Sequence, residues 1–143
     1  DVNQPGKMVP ADLPRVNFFH WVLVNISAKI SVLEEGAACR GITPRGKSVG
    51  QTPHGATGKN DYTGWFAGDP EMEGTYGGYD GPCPPWNDSI VHHYHFEVFA
   101  LDVETLKLQG AFTGQEALEA MKGHILASAS QMGTYSMNPA VKG

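Results

Sequence analysis

Residues 77–99 read GGYDGPCPPWNDSIVHHYHFEVF. A glycine- and proline-rich loop runs here into a β-rich segment that opens with His92, His93, Tyr94 and His95. Glycine lets a backbone approach a ligand closely. Proline fixes φ and removes a donor. The loop is therefore shaped as well as turning. The strand that follows brings imidazoles and a phenol beside it, which is how a small polar pocket is built at the end of a sheet.

Val91–Asp102 is the clearest strand in the chain. Side chains alternate across a strand, so His92, Tyr94, Phe96 and Val98 share one face and His93, His95, Glu97 and Phe99 the other. This parity opposes a three-histidine metal site, because His92 points away from His93 and His95. Those two share a face, yet no carboxylate or cysteine is placed in sequence to complete a zinc shell.

Outward from this segment, glycine (18) and proline (10) are spread through all 143 residues and favour many turns and short strands over a helical bundle. Phe18–Ile26, FFHWVLVNI, is apolar on both faces and reads as a buried strand opened by His20. A histidine in such a place is more often a hydrogen-bonded core residue than a ligand. Ser31–Gly36 reads as a turn or short helical piece. Cys39–Asn60 reads as a long loop carrying Arg40, Arg45, Lys47 and Lys59, and Asp61–Tyr79 as aromatic-rich loop. Thr113 followed by Glu116 fits a capping box. Ala117, Met121, Ile125 and Leu126 then recur at helical spacing, with Gly123 and Gly133 weakening or ending the helix. His124 either overhangs the pocket or faces solvent. The tail from Gly133 reads as extended.

Composition bounds the function. The chain is 41% hydrophobic and 17% charged, enough to pack a core as one domain. Its net charge of −5 and the lack of a basic run argue against a nucleic-acid surface. No stretch approaches the roughly 20 apolar residues of a membrane span, and no signal peptide is visible. The chain opens on Asp1, so a preceding segment is expected. Cytoplasm is the default compartment, with the periplasm the alternative if a signal peptide is removed. Cys39 and Cys83 are too few for a disulfide scaffold. Cys83 lies between prolines with no helix start to activate a thiolate. No nucleophile elbow, P-loop or dinucleotide fingerprint occurs.

Six pieces together resemble the phosphatidylethanolamine-binding protein family, in its bacterial and archaeal Raf-kinase-inhibitor-like branch. They are FFHWVLVNI (18–26), GITPRG (41–46), NDYTGWFAGD (60–69), YGGYDGPCPPWND (76–88), HHYHFEVFALD (92–102) and GHILASASQMGTYS (123–136). The resemblance implies a mainly β, antiparallel sandwich: a large central sheet, a smaller sheet, one C-terminal helix and short peripheral helices. It also implies a cavity for phosphate, phosphorylated headgroups, acetate or cacodylate. His20 matches the histidine opening the central strand, and Pro84 and Pro85 the paired prolines of the pocket loop. His92 and Tyr94 match the His-x-Tyr pair, with His93 in place of the commoner arginine.

The candidate ligand-binding residues are accordingly His20, Tyr79, Gly81, Pro84, Pro85, His92, Tyr94 and His124. No catalytic residue, metal or cofactor is assigned. A small-anion or headgroup-binding protein leads, ahead of a kinase or protease inhibitor acting through the pocket rim and of a hydrolase using Cys83 or a histidine. The resemblance also implies a homodimer. The family's Asp-Pro-Asp-x-Pro motif, whose aspartate belongs to the pocket, is absent, and DVNQPG resembles the loop that follows it. An associated N-terminal fragment of the same protein is therefore expected to cover strand edges that would otherwise be exposed. Mass spectrometry under native and denaturing conditions checks this: a single 15.4 kDa species in both would reject it.

Overall fold

The computed structural model describes residues 2–38 and 41–141. Cys39 and Arg40 of the expected basic loop, and Asp1, lie outside the described residues. In chain order the elements are β1 (Leu23–Val24), β2 (Gly46–Lys47), β3 (Gly50–Thr52), β4 (Gly55–Thr57), α1 (Tyr62–Trp65), β5 (Thr75–Tyr76), β6 (His92–Leu101), α2 (Gly114–Met121) and β7 (Ile125–Tyr135). The structure is mainly β, as expected. Among the described residues the strands form one three-stranded sheet, β1-β4-β3, and two two-stranded sheets, β2-β5 and β6-β7. The expected pairing is antiparallel throughout, whereas β2 pairs β5 in parallel. The chain divides into two compact units. One holds the residues up to Asn17, Pro82–Phe99 and those from Ala127 on; the other holds Phe18–Gly81 and Ala100–Leu126.

In the second unit, the run FFHWVLVNI is less regular than its composition suggests. Only Leu23–Val24 joins a ladder, antiparallel to Ala56 and Thr57. The Phe19 N–H instead donates to Asp61 Oδ2 (2.6 Å), and the Asp61 N–H donates back to the Phe19 carbonyl (2.9 Å). At the far end Asn25 sits at φ +57, which leaves the β region. Side-chain partners thus satisfy backbone groups that a longer strand would have paired.

The segment expected as loop before Asn60 holds three short strands. Gly46, Gly50 and Gly55, all at positive φ, break up the apolar alternation that would have marked them. The stretch Asp61–Tyr79 likewise holds α1 and β5.

Two buried polar side chains knit this unit together. Asn60, 1% exposed, donates from Nδ2 to the Gly78 carbonyl (3.2 Å) and accepts the Tyr62 N–H (3.1 Å). Thr57 Oγ1 donates to the Val22 carbonyl (3.1 Å) and accepts the Gly78 N–H (3.2 Å). Gly78 itself has φ +72, and a Cβ there would lie 2.6 Å from the Ala38 carbonyl oxygen. Around them pack Val22, Val24, Ala56, Tyr76, Leu106, Phe112, Ala117 and Met121, all buried.

Helix α2 carries the expected capping box: Thr113 accepts the Glu116 N–H and the Glu116 carboxylate accepts the Thr113 N–H. Its end is earlier than the apolar spacing suggests. Lys122 has already left helical φ/ψ and Gly123 turns the chain at φ +80, so Ile125 and Leu126 begin β7 instead of continuing the helix. Both side chains are exposed, Leu126 to 70%.

The first unit is organised around Asp88, 1% exposed. Arg15 forks onto it, with Nη1 2.5 Å from Oδ2 and Nη2 3.0 Å from Oδ1. The Ile90 N–H donates to Oδ1 (3.2 Å), and Asn138 Nδ2 donates to the Asp88 carbonyl (2.7 Å). Val9 bridges the same residue: its N–H donates to the Asn87 carbonyl (3.0 Å) and its carbonyl accepts the Ser89 N–H (3.1 Å). Burial pushes the Asp88 carboxyl up. Hydrogen bonds from Arg15, His92 and the Ile90 N–H, together with the Arg15 charge, outweigh burial and hold it below the ordinary aspartate value.

Two outcomes follow. Asn60→Ala leaves the Gly78 carbonyl and the Tyr62 N–H without this partner. It should cost on the order of 2 kcal/mol in urea unfolding, and an unchanged midpoint would contradict the role given to Asn60. For Asp88, the unfolded chain takes up its proton near about pH 3.9, the folded chain only at lower pH. The stabilisation is complete above the unfolded value and is lost as pH falls through the folded one. Asp88→Asn should therefore be less stable than the parent at neutral pH, with the gap closing below about pH 4. Urea midpoints measured at stepped pH check this; parallel curves would contradict it.

Candidate functional site

The residues singled out in the sequence divide between the two units. Pro84, Pro85, His92 and Tyr94 belong to the first, and His20, Tyr79, Gly81 and His124 to the second.

In the first unit the expected alternation shows in burial over the first four residues of β6 and is lost beyond them, where Phe96 and Val98 are exposed. His92 and Tyr94 are half-buried on β6, while His93 and His95 are exposed. The rings of His92 and Tyr94 lie 6.4 Å apart with 28° between their planes. Pro84 is buried and Pro85 half-buried. The Asp88 N–H donates back to the Pro85 carbonyl (3.1 Å), closing the turn that follows the proline pair. That turn delivers the Asp88 carboxylate to His92, with Oδ2 2.8 Å from Nε2. The side chains of His92 and Arg15 stay 28% and 33% exposed, so the outer end of this chain of charged groups is open to solvent.

Arg15 and Asp88 are the residues that sequence reasoning missed. Asp88 lies four positions before His92, but in a loop that spacing fixes no contact. Arg15 lies 73 residues from its partner in sequence. The one available signal was chemical: an acidic side chain between a proline pair and a histidine strand.

In the second unit His20 is half-buried among rings. Its centroid lies 4.9 Å from Phe18 and 5.3 Å from Tyr62. Tyr62 in turn contacts Phe18 at 5.0 Å and stacks on Phe66 at 5.5 Å. Helix α1 supplies Tyr62, and Asp61 fixes its approach to Phe19. These contacts give His20 a packing role whatever else it does.

Tyr79 stacks on Trp21 at 5.8 Å, and burial raises its phenol above the ordinary value, so it remains a hydroxyl donor at neutral pH. Gly81 sits at φ +87. His124 Nδ1 lies 2.8 Å from Asp102 Oδ1 in an exposed pair, where the His124 carbonyl also accepts the Asp102 N–H (3.0 Å). This histidine closes the turn into β7 and faces solvent.

A cavity of about 90 Å³ in the second unit is lined by Trp21, Leu23, Lys47, Ser48, His54 and Gly77 among others. None of the eight candidates lines it. Its lysine, Lys47, is ion-paired with Asp80. Among the described residues no three His, Cys, Asp or Glu side chains gather as a metal ion would require. No helix among them is long and apolar enough to cross a membrane.

The model of the family described as phosphatidylethanolamine-binding protein matches residues 7–136. A UPF0098 protein of Pyrococcus abyssi is 36% identical over 124 residues, covering 87% of this chain and 58% of its own length. One from Chlamydia muridarum is 34% identical over 134 residues, covering 91% of this chain and 67% of its own. A crystal structure of a phosphatidylethanolamine-binding protein homolog from Chlamydia trachomatis is 47% identical over 42% of this chain and 37% of that chain, with a TM-score of 0.37. The chain spans about half the length of the Pyrococcus relatives, 58% of one and 52% of the other. With the family match running from Lys7 to Ser136 and including both the proline-pair loop and the histidine strand, the chain belongs to the phosphatidylethanolamine-binding protein family.

Proposed function

We propose that this chain binds a small anion or a phosphorylated headgroup and performs no chemistry on it. The observation that carries the reading is the pairing of the half-buried His92 and Tyr94 on one face of β6, next to the Arg15–Asp88 ion pair.

The chemistry suits an oxyanion. Tyr94 offers a hydroxyl donor, and His92, whose Nε2 is engaged by Asp88, adds a second ring N–H donor when the imidazole is charged. Arg15 adds a permanent positive charge whose outer edge reaches solvent. Pro84 and Pro85 shape the neighbouring turn and contribute no N–H that would compete for the ligand. The family name supports a phosphorylated headgroup as the natural form of that anion, since phosphate offers several acceptor oxygens to such donors.

Calorimetry with inorganic phosphate, phosphoethanolamine and acetate tests the reading. Histidine is the side chain whose charge changes nearest neutrality, and only its charged form adds electrostatic attraction. Affinity for acetate, which stays ionised throughout, should therefore weaken as pH is raised. A His92→Ala, Tyr94→Phe double variant should lose at least about tenfold in affinity, the equivalent of about 1.4 kcal/mol. Unchanged affinity in that variant would reject the site.

A further inference from the structure

We propose that Asp88 is the positioning residue of this site: clamped by Arg15, it accepts a hydrogen bond from the Nε2–H of His92 and so assigns Nδ1 as the ring nitrogen that meets the ligand. The inference rests on the binding function proposed above only for the identity of the ligand; the positioning itself is carried by the geometry of the ion pair.

Both Asp88 oxygens are fully committed to donors. Oδ1 accepts from Arg15 Nη2 at 3.0 Å and from the Ile90 N–H at 3.2 Å. Oδ2 accepts from Arg15 Nη1 at 2.5 Å and lies 2.8 Å from His92 Nε2. An ionised carboxylate is an acceptor only. At 2.8 Å from it, Nε2 must therefore carry a hydrogen. The alternative neutral tautomer, with its hydrogen on Nδ1, would set the Nε2 lone pair against a carboxylate oxygen. In a group 1% exposed, no water shell relieves that repulsion. Arg15 makes the arrangement rigid. Its planar fork holds both oxygens at once, which fixes the direction in which Oδ2 faces the imidazole.

The consequence concerns the ligand. With Nε2 occupied, neutral His92 presents a bare acceptor at Nδ1, and only imidazolium presents a donor there. An anion oxygen can meet Nδ1 only with one proton between them. Inorganic phosphate, as hydrogen phosphate, can bring that proton on its own P–OH; a phosphate monoester, with a second pKa of about 6, has lost its proton where an ordinary imidazole is neutral. Sulfate, which carries none near neutrality, depends on a protonated imidazole. Asp88 thus selects, among oxyanions, for those that bear an exchangeable proton whenever His92 is neutral.

The test reads the tautomer directly. Nitrogen-15 spectra of the uniformly labelled chain at about pH 8, where an ordinary imidazole is neutral, should show His92 protonated at Nε2, with a slowly exchanging ring proton. Asp88→Asn can turn its amide N–H toward the ring, and should admit the Nδ1–H tautomer. Arg15→Gln, changed at the solvent-facing end of the clamp, should keep the tautomer but exchange the Nε2 proton several-fold faster. It also serves as the readout if the Asp88 variant does not fold. A wild-type ring protonated at Nδ1 would overturn the proposal, as would identical tautomer populations in Asp88→Asn, or unaltered exchange in Arg15→Gln.

Titration at the same pH should show phosphate bound at least tenfold more tightly than sulfate, the ratio narrowing in Asp88→Asn. A ratio near one in the wild type would overturn the ligand preference. If neither ion binds while Nε2 stays protonated, the anion-binding function fails and the positioning of His92 by Asp88 stands.

Discussion

A carboxylate that is 1% exposed must be surrounded by donors or it will not stay ionised, and the first unit is built to meet that demand at Asp88. Its partners come from four separate places in the sequence. Arg15 arrives from the N-terminal segment, the Ile90 N–H from the residues just beyond, His92 from the start of β6, and Asn138 from the tail. The Ile90 contact is a local turn, but Arg15 and Asn138, 73 and 50 positions away, are placed by no local preference. Val9 adds a backbone bridge on either side of the same residue. An ion pair of this kind is weak evidence for net stability, because desolvation opposes the Coulomb gain. What it supplies is register: it fixes where the N-terminal segment crosses the proline-pair turn, and therefore where the first residues of β6 stand.

The second unit solves the same problem mainly with uncharged groups. Its strands are two or three residues long, too short for ladders to satisfy the backbone. Thr57 and Asn60 act instead as substitutes for strand neighbours, between them engaging Val22, Tyr62 and both the N–H and the carbonyl of Gly78. Asp61 does the same for Phe19. That is why polar residues stand at buried positions in a chain whose apolar residues would otherwise be expected to fill them. It is also why Gly78 is a glycine: its left-handed φ and the Ala38 carbonyl 2.6 Å from a notional Cβ leave no room for a side chain.

These two devices mark the limit of what could be read from the residues alone. Strand β6, the capping box of α2 and the shared face of His92 and Tyr94 were legible because each rests on local periodicity or spacing. The short extent of β1 was not, since the apolar run of Phe18–Ile26 is ended by hydrogen bonds from a residue some forty positions away. The α2–β7 boundary was misread because Met121, Ile125 and Leu126 keep helical spacing across a turn at Gly123, and spacing does not register a change of φ. A pocket aspartate was expected from an Asp-Pro-Asp-x-Pro motif that these residues do not contain. Asp88 instead places a carboxylate against His92 from the loop itself, a contact that depends on the Pro85–Asp88 turn and the Arg15 clamp.

Strand β6 shows how site and scaffold make opposite demands on one element. Its first residues are held firmly: His92 by Asp88, Tyr94 beside it, the proline-pair turn behind. Farther along, Phe96 and Val98 are exposed, as are Met132 and Tyr135 on its partner β7. A two-stranded ribbon is marginal by itself in water, and bulky apolar side chains on its surface add no stability while they stay solvated. The ordering that a ligand would meet therefore does not come from the ribbon. It comes from the buried Asp88 carboxylate just before β6, which anchors the strand where His92 and Tyr94 stand and leaves the rest of its length free of that constraint.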